Sequence, residues 1–124
     1  MKQFRAVVPD LRPLLEWLHT SLKKERHEIL KIRQVELVVE EVFMNIVRHA
    51  YQNRGGSVEL SIEKRGDGVE ITFIDQGIPF DPRSYRLEKR EEEGGMGIPL
   101  ILRFAGDLTY RRERDKNILT VFFH

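Results

Sequence analysis

From Gln34 to Tyr51, Val35, Val38, Val39, Val42 and Ile46 recur at i, i+3, i+4, i+7 and i+11, the spacing of one apolar helix face. The same spacing appears earlier in Leu11, Leu14, Leu15, Leu18 and Leu22. Asp10 stands there as a candidate N-cap, and Pro13 falls in the first turn, which tolerates it. Ahead of that helix, Phe4 to Val8 is largely apolar and closed by Pro9, which predicts a short strand. Lys23 to Arg33 is highly charged and reads as a helix end, a linker and a short turn. Past Tyr51 the period changes to two. Val58, Leu60 and Ile62 alternate with polar residues, as do Val69, Ile71 and Phe73, so the turn at Arg65–Gly68 joins a hairpin. Asp75 to Pro82 (DQGIPFDP) is unable to continue a strand.

Arg83 to Glu93 is charged, with Tyr85 and Leu87 as its only anchors, and predicts a mobile segment. Gly94–Gly97 then opens an apolar segment, Ile98 to Phe104, that reads as a helix with Pro99 in its first turn. Asp107–Glu113 and Ile118–Phe123 close the chain as a second hairpin around Arg114-Asp115-Lys116-Asn117. Two or three helices and about five strands give an α/β (α+β) two-layer sandwich, its mixed, largely antiparallel sheet covered on one face by helices.

Composition narrows the reading. With 124 residues, 40% hydrophobic and 33% charged, residues 1–124 suit a single domain. Twenty-one basic and 20 acidic residues leave a net charge of +1, with no basic stripe for direct contact with nucleic acid. There is no cysteine, which excludes disulfides and thiolate chemistry. No apolar run approaches the ~18 residues of a membrane span, and the N-terminus is too polar for a signal peptide, so a cytoplasmic location is expected. Rossmann glycines and a GxxxxGK[ST] phosphate loop are both missing.

Three short patterns carry candidate chemistry. Glu41 and Asn45 lie one turn apart at the border of the valine face. A carboxamide oxygen is a hard ligand suited to Mg²⁺, and a neighbouring carboxylate can accept a proton; the same pair also suits an ordinary polar helix edge. Asp75 at a strand end can accept a hydrogen bond from an exocyclic amine, and Gly77 lets a flat ring approach the backbone, though these residues also spell a plain turn. Gly94–Gly97 offers backbone N–H groups at a helix start, an anion site or a hinge. His19 and His27 have no partner pattern and read as surface residues. The three patterns occur in a fixed order on helix edge, strand end and loop-to-helix junction, with the charged segment where a lid would lie.

EEVFMNIVRHAY resembles the N box of the GHKL ATPases, DQGIPFDP their first glycine box and GGMGIPL their second. Within that superfamily the chain is most similar to the bacterial anti-sigma-factor serine/threonine kinases, through HAY after the N box, PFDP after the first glycine box and the short segment between the boxes. The resemblance implies the Bergerat fold, with ATP and Mg²⁺ bound. Asn45 would coordinate the metal, and Glu41 would be the general base. Asp75 would take the adenine amino group, with Gly77 beside the ring and Thr120 supporting the aspartate. Gly95 and Gly97 would contact phosphates, with Met96 between them. His49 follows the family pattern among the ATP-binding residues, and Arg83, Arg86, Lys89 and Arg90 fall in the lid, within reach of phosphate. The implied activity is that of a serine/threonine protein kinase acting on an anti-anti-sigma-factor-like partner, with a sigma factor as a further partner. The alternative is a nucleotide-gated binding module that sequesters a regulator. A homodimer formed through the first strand and helix is implied as well.

Overall fold

Along the central strand β3 (Gly68–Asp75), Val69, Ile71, Phe73 and Asp75 are buried while Glu70, Thr72 and Ile74 are half-buried. That alternation marks a sheet with one covered face. In the computed structural model, which describes residues 1–83 and 104–124, β3 lies at the middle of five strands. Its neighbours are β1 (Lys2–Arg5), β2 (Ser57–Arg65), β4 (Asp107–Glu113) and β5 (Lys116–Phe123), in the order β1-β2-β3-β5-β4. All four pairings are antiparallel. Among the described residues two helices, α1 (Leu11–Lys24) and α2 (Ile29–Asn45), supply the cover. Leu14, Leu18 and Leu22 of α1 and Ile32, Val35, Val38, Val39, Val42 and Phe43 of α2 form one core with Val58, Leu60, Ile71, Phe73, Leu119 and Val121 of the sheet. Each such side chain contributes about 1.5–3 kcal/mol on burial, so the valine stripe is what seats α2 on the strands.

Three boundaries and one capping bond differ from the sequence expectations. β1 ends at Arg5 because Val8–Asp10 turns as a short 3-10 segment with Pro9 near its start. Asp10 sits at the N-cap position of α1, but its side chain makes no capping hydrogen bond. It accepts hydrogen bonds from the Arg5 backbone N (2.8 Å) and Arg5 Nη2 (2.9 Å) instead. α2 begins at Ile29, five residues before the expected Gln34, because Ile32 extends the buried stripe while the surrounding charges stay on the solvent side. The α-helical part ends at Asn45, and Ile46–Ala50 forms a π turn in which Tyr51 N donates to Ile46 O at 2.9 Å.

Between β4 and β5 the turn is tighter than expected. Arg114 takes a positive φ of 57°, and β5 already begins at Lys116. The charged segment from Ser84 onward, the glycine run Gly94–Gly97 and most of the expected helix Ile98–Phe104 lie outside the described residues. No described helix is long and apolar enough to cross a membrane.

Candidate functional site

Among the described residues three polar side chains are buried: Asn45 (8% exposed), Asp75 (4%) and Asn117 (3%). Burying such groups is costly unless they are paired or serve a ligand. All three line one cavity, together with Val42, Ile46, Phe80 and Tyr110. They come from the end of α2, the end of β3 and the start of β5. The antiparallel register that sets Asp75 opposite Asn117 is what brings the last two together.

Asp75 Oδ1 accepts hydrogen bonds from Gly77 N at 2.9 Å and from Asn117 Nδ2 at 2.8 Å. Asn117 Nδ2 also donates to Ile78 O at 2.8 Å, and its Oδ1 accepts from Tyr110 Oη (2.5 Å) and Phe80 N (3.3 Å). Arg112 Nη1 donates to Gly77 O at 2.7 Å, closing the loop from the β4 side. Burial pushes the Asp75 carboxyl above the usual carboxylate range, opposed by the hydrogen bonds from Asn117 and Gly77 and by the Arg112 charge.

The π turn carries the end of α2 onto this loop. Ala50 O accepts from Ile78 N at 2.9 Å. Tyr51 Oη donates to Ser57 O at 2.6 Å and accepts from Gln76 N at 2.8 Å, tying helix end, β2 and β3 together. Gly77 is required by this approach. A Cβ there would overlap the Ala50 carbonyl oxygen and lie 2.5 Å from its carbonyl carbon. Its missing side chain therefore makes room for the helix end. Gly77→Ala is expected to destabilise the protein by about 1–3 kcal/mol, the cost of forcing backbone apart in a packed region. A urea titration would read this as a lower midpoint with unchanged slope.

Glu41 sits one turn before Asn45, half-buried, and its carboxyl is pushed above the usual range by burial, then by the neighbouring Glu40 charge, with Arg48 opposing. Asn45 Nδ2 is buried with no hydrogen-bond partner among the described residues. His49, one turn further on, stacks on Phe80 with ring centroids 5.1 Å apart and planes 22° apart. Arg83 is held by Asp81, with Nη2 2.9 Å from Oδ2. The cavity itself is only about 20 Å³, room for about one water. A roomier groove of about 590 Å³ runs elsewhere, past Leu15, Glu16, His19 and Glu36, and none of the three buried polar residues opens into it.

Asn45, Asp75 and Gly77 thus meet at the junction of the α2 end with the β3 end, with His49 stacked on Phe80 beside them and Glu41 one turn back along α2, outside the cavity lining. Thr120 does not join them. Its hydroxyl lies 3.2 Å from that of Thr72, on the sheet face opposite Asp75, because residues three apart on a strand point to opposite sides. Asn117 makes the contact to Asp75 that Thr120 was expected to make. Its sequence signal was a polar residue at an inward position, two before Leu119 and four before Val121. Gly95, Met96 and Gly97 lie outside the described residues.

Known proteins resemble this chain in sequence and in fold. The chain is 28% identical over 98 residues to a serine-protein kinase RsbW of Bacillus cereus strain B4264, covering 71% of this chain and 61% of that protein. It is 34% identical over 80 residues to the protein of the same name from Halalkalibacterium halodurans, covering 56% and 49%. The chain therefore spans about half to three fifths of the length of these relatives. In fold it resembles a chain of the SiaB–SiaC complex of Pseudomonas aeruginosa, with a TM-score of 0.71 at 15% identity over 99% of this chain and 89% of that one. A histidine kinase domain of Erythrobacter litoralis EL346 matches with a TM-score of 0.52 at 24% identity, covering 75% of this chain and 44% of that one. The sequence profile of the histidine kinase-like ATPase domain matches residues 4–123, and the chain belongs to that GHKL-type family.

Proposed function

We propose that this protein is an ATP- and Mg²⁺-dependent serine/threonine protein kinase of the anti-sigma-factor type. Its substrate would be a serine on an anti-anti-sigma-factor-like partner, with a sigma factor as the competing partner, so that phosphorylation regulates transcription by partner switching. The observation that carries the reading is the gathering of every buried polar side chain among the described residues at one cavity. The similarity to serine-protein kinases named RsbW supports the choice of acceptor.

The donor set fits a nucleotide and its metal. Asp75 is a buried acceptor at a strand end, suited to an adenine amino group. Asn45 has a buried amide nitrogen with no protein partner among the described residues, so its orientation is free to be set by a ligand. Among those residues no three His, Cys, Asp or Glu side chains converge on a metal by themselves. This suits Mg²⁺, which takes one or two protein oxygens and completes its shell with phosphates and water. When bound through Asn45, the ion would neutralise charge on the phosphates. Glu41, ionised, accepts the proton of the serine hydroxyl as its oxygen bonds to the γ-phosphorus and the bond to the β,γ-bridging oxygen breaks, releasing ADP. Gly95 and Gly97, flanking Met96, belong to the same reading as phosphate contacts, and His49 as a neighbour of the ring pocket.

A single 1–124 domain, a cytoplasmic location and a homodimer are parts of the same proposal. The position of β1 at the sheet edge supports the last of these. A nucleotide-gated binding module is the alternative, supported by a cavity that has to enlarge before any base can enter.

Calorimetry with ADP and Mg²⁺ tests the shared premise: micromolar binding is expected, and Asn45→Ala should weaken it at least tenfold and remove its Mg²⁺ dependence. No binding by the wild-type protein at high micromolar ADP would remove the nucleotide reading. Incubating ATP with a purified partner then separates the two readings, since a gated binder forms a complex without phosphoserine.

A further inference from the structure

Asp75 has two carboxylate oxygens, and only one is committed. Oδ1 accepts from both Gly77 N (2.9 Å) and Asn117 Nδ2 (2.8 Å). Oδ2 has no hydrogen-bond partner among the described residues, and Asp75 lines the cavity beside Asn45. Asn117 is not free to release Oδ1. Its remaining N–H donates to Ile78 O (2.8 Å), and its oxygen accepts from Tyr110 Oη (2.5 Å) and Phe80 N (3.3 Å). An amide has two donor and two acceptor positions, and all four are used. Rotating it would set its oxygen against the Asp75 carboxylate and the Ile78 carbonyl and an N–H against the Phe80 N–H, so its neighbours fix the orientation.

We propose that Asn117 is the positioning residue that sets base selectivity. Together with Gly77 N it saturates Oδ1 and leaves Asp75 a single acceptor oxygen, which suits a base presenting one exocyclic amine, a 6-aminopurine. Guanine presents two adjacent donors, N1–H and the 2-amino group, which pair with both oxygens of one carboxylate. With Oδ1 occupied, one of those donors is buried without an acceptor, and a site that leaves a polar group unmet rejects the ligand strongly. The inference rests on the nucleotide reading above and concerns which base is taken.

Titration of the full chain with ADP, GDP and IDP, each with Mg²⁺, tests it. The wild-type protein is expected to prefer ADP over GDP by about thirtyfold or more. IDP, which keeps N1–H and lacks the 2-amino group, should bind more tightly than GDP, because a single donor can use Oδ2. GDP binding as well as or better than IDP would overturn the inference on the wild-type protein alone. Asn117→Ala opens one acceptor position on Oδ1, which keeps its bond from Gly77 N, and should lower the ADP-to-GDP affinity ratio at least tenfold. Tyr110→Phe loosens the same clamp without touching Oδ1 and should change both affinities together, leaving the ratio in place. An Asn117→Ala protein that binds ADP with an unchanged ratio would reduce Asn117 to a structural role. A wild-type protein that binds none of the three nucleotides would overturn the nucleotide reading itself, and this inference with it.

Discussion

Replacing Asp75 with asparagine is expected to make the protein more stable while weakening nucleotide binding about a hundredfold. The carboxyl is 4% exposed, and burial raises its pKa despite the hydrogen bonds from Asn117 and Gly77 and the charge of Arg112. A raised carboxyl pKa means that the folded protein binds the proton more tightly than the unfolded chain. Well below the ordinary carboxyl pKa both states are protonated and there is no penalty. Between the unfolded and folded pKa values stability falls as pH rises, and above the folded value the whole cost of a buried charge is present. Asparagine keeps an oxygen for the two donors now on Oδ1 and removes the charge. The melting temperature of Asp75→Asn should therefore exceed that of wild type by a few degrees at pH 7–8, at roughly 4 °C per kcal/mol. The difference should shrink toward zero as pH falls below the ordinary carboxyl range. The same change sets an N–H where an exocyclic amine is to donate, exchanging an attractive charged contact for a repulsive one. Affinity for ADP with Mg²⁺ should fall about a hundredfold. Melts from pH 4 to 8 and calorimetry read both effects. A lower melting temperature together with intact ADP binding would show that Asp75 is a structural residue.

The sequence carried the elements that pack and lost those that depend on register. The valine stripe of α2 and the alternation of β2 and β3 were legible because burial imposes a period on them. Asn45 stood out as a carboxamide at the border of an apolar face, and Asp75 as an acid ending an apolar strand. The π turn left no mark, since shifting a hydrogen bond by one residue needs no particular side chain. Asn117 was hidden in Arg114-Asp115-Lys116-Asn117, four polar residues that read as a turn. The real turn is shorter, made possible by the positive φ of Arg114, and it moves Asn117 up into β5 opposite Asp75. Thr120 was assigned the supporting role through the family resemblance. Its parity with Thr72 rules it out, but parity needs the β3–β5 register, which no local pattern specifies. The same holds for Phe80, whose stacking on His49 narrows the cavity through a contact between residues 31 positions apart.

Glu41→Gln is expected to stop phosphoryl transfer while leaving the nucleotide bound. Glu41 lies on α2 one turn from Asn45 and does not line the cavity around Asp75, so ADP affinity should stay within about threefold of wild type. A carboxylate accepting the acceptor's proton typically contributes 10²–10⁴-fold, and glutamine keeps the shape without the basicity. Transfer to a purified anti-anti-sigma-factor-like partner should therefore fall by about that factor. The pH profile adds a sharper signature. Burial is the largest cause of Glu41's raised pKa, the Glu40 charge adds to it, and Arg48 opposes it. A base must be deprotonated to act, so the wild-type rate should fall on the acid side at a higher pH than an ordinary glutamate would give. Removing the neighbouring charge in Glu40→Gln should move that acid limb to lower pH, and removing the opposing one in Arg48→Ala should move it higher. A structural role for Glu41 would alter the amplitude of the profile and leave its position fixed. Wild-type transfer by Glu41→Gln would assign the proton to another acceptor, and an acid limb that ignores both Glu40 and Arg48 would do the same.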